Sequence, residues 1–273
     1  KKENIMDNYE VKELALPNGT ISYRSSGNGP AILFLHGLGG GSKSWVNQLK
    51  MLASDFTVIA WDAPGYGKSD RRNPDVDSYA EAVAELLEKM NVSNVTVVGH
   101  SMGGIVAGRF AATHPELLER LVLSSTFAGK GAPPDAPLAE GYRQRIHELE
   151  TLPREEFGHA RAESMTADSA SSEAFGLVAE VASEVHRDGY ADACTVLNWA
   201  DNREVLKQIQ VPTLVLDARE DSIVSEEKGD ELEKLISGAE RITLEVGGHA
   251  SYIEVPERYN RTLRDFINRH PSD

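Results

Sequence analysis

Apolar positions along the chain fall into two rhythms. Short runs with almost no polar break, Ala31 to Leu35, Phe56 to Trp61, Val95 to Val98, Leu121 to Leu123 and Val211 to Leu216, have the composition of strands buried on both faces. Between them lie segments whose apolar residues recur at helical spacing, over residues 43–53, 78–90, 105–112, 226–236 and 256–269. Arg241 to Val246 adds a strand ahead of the last helix, and Tyr9 to Leu16 with Thr20 to Arg24 predict a hairpin turning at Pro17-Asn18-Gly19. Alternating strands and helices predict an α/β fold: a mostly parallel eight-stranded sheet with helices on both faces.

The rhythm breaks once. From Gly129 to Leu206 a proline-rich opening (Pro133, Pro134, Pro137) leads into helical segments rich in Ala, Glu and Ser, with no buried strand evident. The expected organisation is a core in two parts, residues 1–128 and 207–273, interrupted by a helical insertion at 129–206 that folds back over the strand ends as a lid.

Composition then narrows the partners. The 273 residues are 40% hydrophobic and 26% charged, ordinary for a globular protein with a sizeable core, and the net charge is −15. Such a field disfavours nucleic acid and anionic membrane alike. No apolar stretch is long enough to span a bilayer, and Lys1 to Asp7 lack a signal-peptide core, so a cytoplasmic protein is expected. The lone Cys194 excludes an internal disulfide and a thiolate metal cluster.

Candidate chemistry centres on Gly99-His100-Ser101-Met102-Gly103-Gly104, which fits G-x-S-x-G directly behind the run Val95 to Val98 and ahead of the helix beginning near Ile105. Strand, turn and helix in that order can hold a serine clear of its own backbone, where an adjacent base makes it nucleophilic. A base is available in Val246-Gly247-Gly248-His249-Ala250, a loop between the last strand and the last helix. Asp217, Glu220 and Asp221 all follow the preceding strand as candidates to orient that histidine. Asp221 is favoured because it lies a few residues into the loop, with Glu220 its main rival. Oxyanion donors are expected from the amide of Met102, at the start of the helix, and of Leu38, in His36-Gly37-Leu38-Gly39-Gly40-Gly41. Those glycines are not a phosphate loop, since no G-K-[ST] follows. His36 and His100 read as local hydrogen-bonding groups, and Asp62 as solvated or helix-capping.

Taken together, His36 to Gly40, Asp62 to Ser69, Gly99 to Gly104, Asp221 and Gly248-His249 resemble the α/β-hydrolase fold family, over nearly the whole chain outside the insertion. The insertion ending near Asp201-Asn202-Arg203 is most similar to that of the enol-lactonase and carboxylesterase group. The resemblance implies a serine hydrolase that cleaves a small ester or lactone through an acyl-enzyme, with no metal or organic cofactor. Ser101 argues against epoxide hydrolases and haloalkane dehalogenases, which carry aspartate at the elbow. The alternatives are a carbon–carbon bond hydrolase of a vinylogous diketone and a hydrolase-like ligand receptor.

Specificity is expected to reside in the insertion. Phe127, Tyr142, Phe157, Met165, Phe175, Tyr190 and Trp199 are candidates for an apolar lining, with Phe127, Tyr142, Arg161 and Trp199 the chosen substrate contacts. Arg143, Arg145, Arg161, Arg187 and Arg203, in so acidic a protein, suggest an anionic small substrate. A monomer or homodimer is expected, without nucleic acid or membrane partners.

Overall fold

A computed structural model describes residues 9–271, so the amino-terminal residues read above for a signal segment lie outside the described residues. Eight strands form one sheet: β1 (Lys12–Leu16), β2 (Gly19–Ser26), β3 (Ala31–Leu35), β4 (Thr57–Trp61), β5 (Val95–His100), β6 (Leu118–Ser124), β7 (Thr213–Ala218) and β8 (Glu240–Leu244). Their order across the sheet is β1-β2-β4-β3-β5-β6-β7-β8. β2 runs antiparallel to β1 and β4, and all pairings from β4 through β8 are parallel.

Alternation along each strand sends side chains to two cores. From β3, Leu33 and Leu35 face one side with Val97, Ile59 and Trp61, while Ile32 and Phe34 face the other with Val98, Val58 and Ala60. The first face is covered by α2 (Val76–Lys89) and α3 (Met102–Thr113), through residues such as Tyr79, Val83, Ile105 and Phe110. The second is covered by α1 (Val46–Met51), preceded by a 3₁₀ turn at Ser42–Trp45, and by the carboxy-terminal helix, whose Tyr259, Leu263 and Phe266 recur at helical spacing. Each such apolar side chain contributes about 1.5–3 kcal/mol by leaving water.

Between β6 and β7 the chain forms α4 (Glu140–Thr151), α5 (Arg154–Met165), α6 (Ser172–Ser183), α7 (Arg187–Trp199) and the short α8 (Arg203–Leu206). Ionic contacts tie these helices to the core: Lys43 to Glu180 and Glu184, each at 2.6 Å, and Arg71 to Asp192 at 2.7 Å. The chain ends with α9 (Glu226–Leu235), α10 (Ser251–Glu254) and α11 (Pro256–Arg269).

The differences from expectation are local. The helix expected over 43–53 is split because its first turn closes as 3₁₀, the elbow helix begins at Met102 rather than Ile105, and α10 has no counterpart in the pattern. Asp75, whose side chain accepts from the Ser78 amide at 2.7 Å, starts α2 two residues early. No helix among the described residues is long and apolar enough to cross a membrane.

Candidate active site

β5 ends at His100 and α3 begins at Met102, leaving Ser101 alone to make the turn. Its backbone sits at φ 52° and ψ −117°, a conformation that costs a non-glycine residue about 1–3 kcal/mol and persists only where neighbours enforce it. Those neighbours are on β6 and just beyond. The Ser101 amide donates to the Ser124 carbonyl at 2.9 Å, and Thr126 Oγ1 donates to the Ser101 carbonyl at 2.6 Å. Two glycines allow the close approach. A Cβ on Gly103 would collide with the Leu35 carbonyl at the end of β3, and one on Gly37 would lie 3.0 Å from the Ser101 Cβ.

His249 follows β8 in a loop that returns to the elbow. Its Nδ1–H donates to Asp221 Oδ2 at 2.9 Å, and both side chains are almost fully buried. The other carboxylate oxygen of Asp221 accepts from the Ile223 and Val224 amides at 2.8 and 2.9 Å. Burial pushes the Asp221 carboxyl up, but the proximity of His249 and these hydrogen bonds outweigh it and hold the group below the usual carboxylate range. The two other acids are engaged elsewhere. Asp217 accepts from Arg241 Nε at 2.8 Å, and the exposed Glu220 accepts from Ser169 Oγ at 3.1 Å.

Behind His249, the buried His100 donates from Nε2 to the His249 carbonyl at 2.7 Å. Burial and then the proximity of His249 press its pKa down to about 3, so His100 is neutral and acts as a fixed donor. Glu254 braces the same loop, accepting from the Gly248 amide at 3.1 Å and the Ala167 amide at 2.9 Å. The Ala250 amide donates to the Met165 carbonyl at 3.0 Å, so the end of α5 bears directly on the histidine loop.

The loop after β3 is held as firmly. His36 donates from Nδ1 to the Gly37 carbonyl at 2.8 Å and accepts at Nε2 from the Ala63 amide at 2.9 Å, which defines a neutral ring. Asp62 is neither solvated nor a helix cap. It is buried, accepts from the Ser42 amide at 2.7 Å and from Ser22 Oγ at 2.6 Å, and so fixes where the glycine loop ends. Among the described residues the Leu38 and Met102 amides donate to no loop or turn carbonyl.

Ser101, His249 and Leu38 open into a cavity of about 280 Å³, walled also by Phe127, Tyr142 and Met165, all three anticipated as lining. The other anticipated apolar groups lie elsewhere. Trp199, expected as a substrate contact, turns its indole N–H to the Ala136 carbonyl at 3.1 Å and pins the proline-rich segment. Phe157 and Tyr190 are buried edge-to-face at 5.8 Å, and Phe175 packs beside His159. Of the five arginines, Arg145 and Arg161 reach the cavity, whereas Arg143 pairs with Glu140, Arg187 with Glu150 and Asp188, and Arg203 with Asp201 and Glu231. Lys130, Gly141, Leu197, Ile223, Val224 and Lys228 complete the wall and were not anticipated. The two apolar residues closely following Asp221, in a loop that would otherwise be polar, were the available signal. Groups of His, Cys, Asp and Glu able to hold a metal are absent among the described residues.

A mostly parallel sheet covered on both faces, with a strained serine turn at the carboxyl end of its fifth strand, defines the class of protein. The model of the family described as the alpha/beta hydrolase fold matches residues 30–256, and the chain belongs to that family. The enol-lactonase of Burkholderia xenovorans LB400 superposes with a TM-score of 0.83 at 25% identity, covering 94% of this chain and 100% of that one. The (E)-2-((N-methylformamido)methylene)succinate hydrolase of Acinetobacter baylyi is 25% identical over 268 residues, 95% of this chain and 99% of that protein. An uncharacterized protein of Mycobacterium tuberculosis is 45% identical over 106 residues, 38% of this chain. The match spans about a third (31%) of that relative's length.

Proposed function

We propose that this protein is a serine hydrolase that cleaves a small carboxylic ester or lactone through an acyl-enzyme. The observation that carries the reading is the 2.9 Å contact of His249 Nδ1 with Asp221 Oδ2, in the cavity that also holds the strained Ser101. With its Nδ1 proton given to Asp221 as a hydrogen bond, the imidazole keeps Nε2 as a base. Ser101 Oγ attacks the substrate carbonyl carbon, its proton passes to His249 Nε2, and Asp221 stabilises the imidazolium. The Leu38 and Met102 amides meet the developing oxyanion, the second of them at the positive end of α3. Collapse expels the alcohol, which takes the proton from His249, and water then repeats the sequence on the acyl-enzyme.

The helices between β6 and β7 serve as the lid that bounds the substrate. A cavity near 280 Å³ lies just below the ~300–1,000 Å³ range of ligand pockets, which favours a small acyl group. The Burkholderia and Acinetobacter relatives, named for an enol-lactonase and for hydrolysis of a substituted succinate, support small-molecule carbonyl substrates. Ser101→Ala should lower kcat on 4-nitrophenyl acetate by about 10³-fold or more and abolish labelling by a fluorophosphonate probe. Hydrolysis persisting near the wild-type rate in that variant rejects the mechanism.

A further inference from the structure

We propose that the cavity contains a carboxylate subsite centred on Arg161, and that the substrate is therefore a small ester or lactone bearing a free carboxylate on its acyl part. The proposal rests on the serine hydrolase reading for its scissile bond, and on separate observations for its anion.

Arg161 is 6% exposed, yet its guanidinium makes no hydrogen bond or ion pair among the described residues, and its Nε is a buried donor without a partner. Buried arginine is ordinarily paired, because an unpaired charge in a poorly solvated site costs free energy; Glu148 favours the Arg161 charge from nearby without bonding to it. Even more exposed arginines of the insertion are paired, with Arg143, Arg187 and Arg203 all facing carboxylates. Arg161 instead faces the cavity, where Arg145, Lys130 and Lys228 join it. Arg145 is likewise without an ion pair among the described residues, while Lys130 lies over the Tyr142 ring at 4.9 Å. No Asp or Glu among the described residues lines the cavity. In a chain with 43 acidic and 28 basic residues, a cavity wall with four cations and no acid selects for an anion.

The chemistry of the partner follows from the donors. A guanidinium offers a planar pair of N–H groups that matches a carboxylate bidentately. The apolar wall of Phe127, Met165, Leu197 and Val224 suits the short hydrocarbon that separates that carboxylate from the carbonyl over Ser101.

The test compares mono-4-nitrophenyl succinate with 4-nitrophenyl butyrate, which have similar acyl chains and differ in the terminal carboxylate. Wild type should favour the succinate in kcat/KM, and Arg161→Met should reduce the succinate-to-butyrate ratio by about 10- to 100-fold. Arg161→Lys, which keeps the charge and loses the fork, should fall between. A wild-type preference for butyrate, or a ratio unmoved by Arg161→Met, overturns the proposal. A second measurement does not depend on turnover: succinate dianion titrated calorimetrically into Ser101→Ala should bind saturably, weaken with added salt, and lose binding in Ser101→Ala/Arg161→Met. Absence of saturable binding to Ser101→Ala overturns the subsite even if the serine mechanism stands. Hydrolysis surviving in Ser101→Ala, with succinate binding intact, overturns the mechanism and leaves the subsite. Should Arg161→Met fail to fold, Arg145→Gln is expected to shift the same ratio in the same direction, and an unmoved ratio there counts against the proposal.

Discussion

At the scale of single residues, the site is built from side chains whose charge state is fixed by what surrounds them. His100 illustrates the cost. Buried, beside His249 and donating to its carbonyl, it titrates only near pH 3, whereas an unfolded histidine titrates near 6.5. The unfolded chain thus binds a proton that the folded chain refuses, so stability is full above about pH 6.5 and falls as pH drops towards 3. A single such group contributes a slope of about 1.4 kcal/mol per pH unit in that window. His100→Gln, which keeps a donor and cannot titrate there, should flatten the slope by about that amount in urea melts between roughly pH 6 and 4. An unchanged slope would mean that His100 does not resist protonation as its burial implies. Residue type and order in the sequence were enough to mark Ser101 and His249. They favoured Asp221 over Asp217 and Glu220 only by its place in the loop, because what engages Asp217 is a partner distant in sequence: Arg241, on the neighbouring strand β8.

At the scale of elements, the central strands were legible because burial on both faces leaves few polar positions, although Glu119 and Arg120 hid the start of β6 ahead of Leu121. The helices of the insertion were legible as helices, but not as surfaces. Arg143 and Arg145 sit two positions apart on α4, about 200° around the axis, so one turns out to Glu140 and the other into the cavity. Composition cannot tell them apart until the helix is docked. The same holds for Glu254, on a four-residue helix that no periodicity announces. Its carboxylate gathers the amides of Gly248 and Ala167, joining the histidine loop to the segment after α5. Glu254→Ala should leave both donors without that acceptor and cost about 1–3 kcal/mol in stability. It should also lower kcat more than it raises KM, since the loop carries His249 rather than the substrate subsite. Thermal melts and steady-state kinetics on the same preparation check both halves, and a normal kcat would remove Glu254 from any part in positioning the base.

For the molecule as a whole, the surplus of negative charge and the cationic cavity act at different ranges. The net charge of −15 is spread over a surface from which solution ions screen it within about 8–10 Å, whereas Arg161 meets a bound carboxylate at contact distance in a shielded site. Local attraction therefore wins for a small anion inside the cavity. That arrangement costs stability in the free protein, where burial disfavours the Arg161 charge and outweighs the opposing influences of Tyr190 and Glu148, while Arg145 adds repulsion. Replacing Arg161 by methionine, similar in reach and without charge, should stabilise the free protein by about 1–4 kcal/mol. At roughly 2–4 °C per kcal/mol for a chain of this size, the gain is visible in a thermal melt. Succinate should then raise the melting temperature of wild type by mass action and leave Arg161→Met unmoved, so that the gap narrows as the dianion is added. A free variant that melts below wild type would show that contacts of the arginine stem outweigh its desolvation, and that the charge is not held at the expense of the fold.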